Sequence, residues 1–116
     1  MSESILSASM LHPAPSAAVL ILRGPLDLGT AARMDHMMRA ELTEGRNHLV
    51  VDLSDVTFCD STAISALLRL HRAATGAGGW IRLAGVPDQV RRVLQVTNVD
   101  RVLHRFPGVE EALAGR

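Results

Sequence analysis

Six side chains with reactive or charge-bearing groups fall close together: Asp52, Asp55, Cys59, Asp60, Ser61 and Thr62. Clustered aspartates can hold a divalent metal or accept a phosphoryl group. A thiol can attack an electrophile. A hydroxyl at a helix start can cap the helix or carry a phosphate. Cys59 sits beside Asp60, whose negative charge opposes a thiolate, so the residue suits a small semi-buried apolar position better than a nucleophile. The aspartates fit turn and cap chemistry. Ser61 and Thr62 follow an acid, and an apolar repeat of helical period begins directly after them. They stand where unpaired N–H groups and the helix dipole favour negative charge. Capping is the commonest use of such residues. A phosphate here would also have an immediate electrostatic effect.

The composition removes several chemistries. All twelve basic residues are Arg, and the chain has no Lys. A phosphate-loop lysine, a kinase strand lysine and a Schiff-base lysine are therefore excluded. A receiver domain with a phospho-accepting aspartate would need an acidic pair after its first strand and a lysine near a later strand end. Neither is present. The histidines at 12, 36, 48, 71 and 104 show no zinc spacing. Gly76 to Gly79 precedes a strand and so is no phosphate-binding fingerprint. With a net charge of zero and three aromatics, the chain has neither the basic stripe nor the stacking surfaces of a nucleic-acid binder. The lone cysteine, the absence of a basic leader and the shortness of the longest apolar run (Ala17–Leu22) predict a cytoplasmic protein with no membrane segment.

Positioning this cluster requires a core, and 47% hydrophobic residues over 116 positions suffice for one domain. Residues 1–4 read as a flexible start. A weak strand is expected near Ile5–Leu11. A continuous aliphatic strand follows over Ala18–Arg23, ended by Gly24-Pro25. Ala31, Met34, Met38 and Leu42 share a helix face, with Thr30 as N-cap and Gly45 as stop. His48–Leu53 reads as a strand and Ser54–Asp60 as a loop. The next helix has Ile64, Leu67, Leu68 and His71 on one face. A strand over Trp80–Ala84, a helix after Pro87, a strand near Val102–Arg105 and a helix over Pro107–Ala114 complete the chain. The order β-β-α-β-α-β-α-β-α predicts an α/β domain with a mixed, mostly parallel sheet, the first two strands pairing antiparallel.

Two motifs carry a resemblance. Gly24-Pro25-Leu26-Asp27 follows the second strand, and Asp52-Leu53-Ser54-Asp55-Val56-Thr57-Phe58-Cys59-Asp60-Ser61-Thr62 leads into the second helix. In both, and in length and element order, the chain resembles the STAS-domain anti-sigma factor antagonists. There an Asp-Ser-Ser/Thr-Gly-Leu run opens a helix, and the serine after the Asp is phosphorylated. This chain has Ala63 where that family usually has Gly, and Pro25 where it usually has an acid. A glycine at position 63 would let a partner's backbone approach closely.

The resemblance implies a single STAS-like domain over residues 1–116 that is not an enzyme and needs no cofactor or metal. It implies Ser61 as the phosphorylation site, with Thr62 as the competing acceptor. It implies a partner surface of Asp27, Asp60, Ser61, Thr62, Ala63 and Ile64. The implied partners are an anti-sigma factor that is also a serine kinase, and a phosphatase. A second reading, a STAS-like scaffold or sensor subunit that binds a protein or small ligand without phospho-control, stays open on the residues alone.

Overall fold

The computed structural model describes residues 5–116, so the flexible start expected for residues 1–4 lies outside the described residues. The elements run β1 (Ser7–Ala14), β2 (Ala17–Leu26), α1 (Leu28–Thr43), β3 (His48–Cys59), α2 (Ser61–Gly76), β4 (Trp80–Ala84) and α3 (Asp88–Val96). A 3₁₀ turn (Val99–Arg101), β5 (Arg105–Phe106) and α4 (Val109–Ala114) follow. The five strands lie in chain order, β1-β2-β3-β4-β5. β1 pairs antiparallel with β2, and every other pair is parallel. This is the expected order and sheet type.

Alternation along the strands divides the apolar residues between two faces. Leu20, Leu22, Leu49, Val51, Ile81 and Leu83 point to the main core, under Met34 and Met38 of α1, Leu67 and Leu70 of α2, and Leu94 of α3. Val19, Val50 and Ala84 point the other way, toward Ala112 of the short α4. On that second face Trp80 is stacked on His48 with ring centroids 4.8 Å apart, and the Arg82 guanidinium lies 3.7 Å from the Trp80 ring centre. Arg82 also donates to the Ala112 carbonyl at 2.8 Å, tying α4 to the sheet.

Helix ends follow the chemistry of their caps. α1 stops at Gly45, as expected. Its φ of +88° sits in the left-handed region. The Gly45 N–H donates to Leu42 O at 3.0 Å and the Arg46 N–H to Glu41 O at 2.9 Å, the paired bonds of a Schellman stop.

Three expectations need correction. Gly24-Pro25 does not end β2, which runs on to Leu26. Gly24 takes φ +105° beside the Ile5 carbonyl, and the register shifts there. Proline is tolerated inside a paired strand at such an irregularity. Second, Ser54–Cys59 is strand, not loop. It pairs with β2 through Arg23↔Asp55, Gly24↔Val56, Pro25↔Phe58 and Leu26↔Cys59, whereas β4 reaches only to Asp52. The end of β3 therefore projects past the sheet as half of a two-stranded extension, and its polar residues are exposed. Third, β5 begins at Arg105 and α4 at Val109, each a few residues later than expected.

Candidate functional site

The projecting strand pair sets two helix starts side by side. β2 ends at Leu26 and β3 at Cys59, which are register partners. The Asp60 N–H donates to the Leu26 carbonyl at 3.3 Å, so the two strand ends stay joined up to the helices. Asp27 then caps α1 and Asp60 caps α2.

Asp27 and Thr30 form a capping box. Asp27 Oδ1 accepts from the Thr30 N–H at 3.2 Å, and Thr30 Oγ1 accepts from the Asp27 N–H at 2.8 Å. Thr30 is thus the third helical residue and not the N-cap, because Asp27 satisfies the first free N–H groups earlier in the chain. The Thr30 hydroxyl donates in turn to the Pro25 carbonyl at 2.9 Å, which anchors the helix start to the strand.

Asp60 does the equivalent work for α2. Its Oδ1 accepts from the Ala63 N–H at 3.1 Å and from the Thr62 hydroxyl at 2.6 Å. The Thr62 hydrogen bond is the chief cause holding the Asp60 carboxyl below its usual range, so it is ionised at neutral pH.

Ser61 is the first residue of α2 and is exposed, and its hydroxyl has no hydrogen-bond partner among the described residues. Thr62 is partly buried and committed to Asp60. The two neighbouring hydroxyls are therefore not equivalent. Ala63 and Ile64 are in the core, at 0% and 4% exposure. The methyl group that replaces the family's usual glycine points inward, not toward an approaching molecule. Of the expected site, Ser61 is exposed and Asp27, Asp60 and Thr62 are half-buried.

The three aspartates of the cluster do not converge. Asp52 Oδ1 accepts from the Ser54 N–H at 3.0 Å and its hydroxyl at 2.7 Å. Asp55 faces Arg23 at 3.2 Å, and Asp60 faces α2. Among the described residues no group of three His, Cys, Asp or Glu side chains is placed to hold a metal ion. The Cys59 thiol is buried, and burial first, then the Asp60 charge, pushes its pKa up to about 11.

Residue types alone missed two members of this surface. Leu28, directly after the α1 cap, is 71% exposed, and Phe58, two residues before the α2 cap, is 52% exposed. Both are large apolar side chains left in solvent next to a helix cap in the chain. The signal for Phe58 was its rarity. It is one of two phenylalanines in the chain, and it stands among polar residues.

The sequence model of the STAS domain matches residues 10–112, and the chain belongs to that family. A Thermotoga neapolitana protein, named as an anti-sigma factor antagonist homologue, is 32% identical over 72 residues. That match covers 62% of this chain and 64% of the relative, so the chain spans a little under two thirds of the relative's length. An anti-sigma factor antagonist from Mycobacterium paratuberculosis shares the fold with a TM-score of 0.85 at 20% identity, over 98% of this chain and 96% of that one. The anti-sigma factor antagonist SpoIIAA in its unphosphorylated form aligns with a TM-score of 0.80 at 17% identity, over 95% and 98% of the two chains. Among the described residues no helix is long and apolar enough to cross a membrane.

Proposed function

We propose that this protein is an anti-sigma factor antagonist, a binding module switched by phosphorylation of Ser61. The observation that carries the proposal is the contrast between adjacent hydroxyls. Ser61 is exposed and uncommitted at the first position of α2, while Thr62 is held by the Asp60 carboxylate. In its unphosphorylated form the protein binds an anti-sigma factor through the surface around Asp27, Asp60, Ser61, Leu28 and Phe58, and so frees a sigma factor. The anti-sigma factor acts as the serine kinase, and a phosphatase restores binding.

The switch needs no change of fold. A phosphate on Ser61 adds a charge of about −2 next to an ionised Asp60. The α2 N–H groups stabilise it in the free protein. Inside a complex it would be desolvated and set against a carboxylate, a juxtaposition worth several kcal/mol. The shared fold with SpoIIAA, whose structure is known in phosphorylated and unphosphorylated forms, supports this reading.

The role is binding and not catalysis. The chain supplies no lysine and no glycine loop to hold a transferring phosphoryl group. The test is phosphosite mapping by mass spectrometry on protein isolated from its own cells. Phosphate on Ser61 is expected. Phosphate on Thr62 would move the site by one residue. Phosphate on neither under any growth condition would remove the switch and leave an unregulated scaffold.

A further inference from the structure

The two edges of the sheet are treated differently. β5 is two residues long, starts with Arg105 and runs into Pro107. Shortness, charge and proline are the usual protections of an edge strand. β1, at the other edge, is eight residues long. From Ile5 to Leu22 the chain has no Asp, Glu, Lys or Arg. His12, the one titratable side chain there, is turned to Glu41 of α1 at 2.7 Å. Pro13 and the register shift between Leu11 and Ala14 blunt only the last residues of β1. Ser7 to Leu11 is left as a regular strand whose outer N–H and C=O groups face no other strand among the described residues. Leu11, at one end of it, and Ile5, two residues before the other, are exposed.

We propose that this edge pairs with the same edge of a second copy, antiparallel, joining two five-stranded sheets into one. The choice of a second copy rests on charge. The Arg33 guanidinium donates to the Leu6 carbonyl just before β1, and Glu41 meets His12 of β1, so side chains on one flank of α1 reach this edge. Glu44 follows Glu41 by three residues and sits close to that same flank. Neither Arg33 nor Glu44 has an ion-pair partner among the described residues. α1 runs in the same direction as β1, since both are antiparallel to β2. A two-fold axis near Ser9 brings the two α1 helices side by side and antiparallel, with Arg33 of each copy within a turn of Glu44 of the other. Ser9 meets its own equivalent at the axis, and Ser7 meets Leu11. Nothing of like charge is opposed along the strand. The seam lies along β1, whereas Ser61 stands at the β3–α2 junction, so the dimer displays two switch surfaces. An interface built on one strand pair and a helix flank is small, and the proposal is for a weak association, on the order of micromolar.

The test is sedimentation equilibrium of the full chain from about 5 to 500 µM, the span over which a micromolar association is read. The weight-average mass should rise from 12.5 kDa toward twice that value. Ser9→Lys places two ammonium groups across the axis and should hold the protein at monomer mass with an unchanged circular dichroism spectrum. Arg33→Glu should weaken the dimer, and adding Glu44→Arg should restore it. Because Ser9→Lys also tests the strand's tolerance, Ser9→Cys serves as a second probe and should cross-link copies under mild oxidation. A wild type at monomer mass throughout overturns the proposal, as does a folded Ser9→Lys variant that dimerises like wild type.

Discussion

The Thr62 hydroxyl donates to Asp60 Oδ1 at 2.6 Å, and this bond leaves Ser61 as the uncommitted hydroxyl at the start of α2. A kinase acting on this segment should therefore modify Ser61. Thr62→Ala should keep wild-type phosphorylation stoichiometry and lose about 1 kcal/mol of stability, the usual worth of one hydrogen bond. Phosphate mapping together with a urea titration of Thr62→Ala checks both.

Asp60 supports α2 as a charged cap. Asp60→Ala should cost about 1 kcal/mol of stability at pH 7, and Asp60→Asn clearly less. The Thr62 hydrogen bond lowers the Asp60 pKa in the folded state. The contribution is thus complete above the unfolded value of about 3.9 and is lost as pH falls through the lower folded value. Urea midpoints for wild type and Asp60→Asn should differ at pH 7 and converge at the acid end.

Leu28 and Phe58 are exposed apolar side chains close in the chain to the two helix caps. Leu28→Ser and Phe58→Ser should each weaken anti-sigma factor binding by about 1–2 kcal/mol, the cost of losing an anchoring apolar contact. Because both side chains already face solvent, folding stability should change by less than about 1 kcal/mol. Isothermal titration calorimetry with parallel melting curves separates these effects.

Cys59 should be a poor nucleophile. With its pKa pushed up to about 11, it is thiol at pH 8 and covered by the core. Reaction with a disulfide reagent at pH 8 should be slow in the native protein and complete rapidly in guanidinium. Equal rates in the two states would show that the thiol is open to solvent.

The start of α2 was legible in the sequence because several signals coincide there. An acid, two hydroxyls and the onset of an apolar helical repeat leave one place for the helix to begin, and Ser61 is its first residue. The parallel sheet was legible from aliphatic runs alternating with amphipathic stretches. The end of β3 was not. With no pairing strand but β2 among the described residues, Ser54, Asp55, Thr57 and Phe58 meet solvent, and the alternation that marks a strand disappears. Gly24-Pro25 looked like a stop because the accommodating irregularity involves Ile5, distant in sequence. Ala63 and Ile64 were placed at the partner surface by motif, but a helix start turns only part of each turn outward, and these two face the core.

Whether charge on Ser61 controls partner binding is read from a single titration. The anti-sigma factor is titrated with unphosphorylated protein and with protein stoichiometrically phosphorylated on Ser61, at the same salt concentration. Affinity should be lower by about 100-fold or more for the phosphorylated form, equivalent to at least ~2.7 kcal/mol. Ser61→Ala should bind like the unphosphorylated protein, and Ser61→Asp should fall between the two forms because it carries a single charge. Equal affinity of the phosphorylated and unphosphorylated forms would show that charge on Ser61 does not control binding.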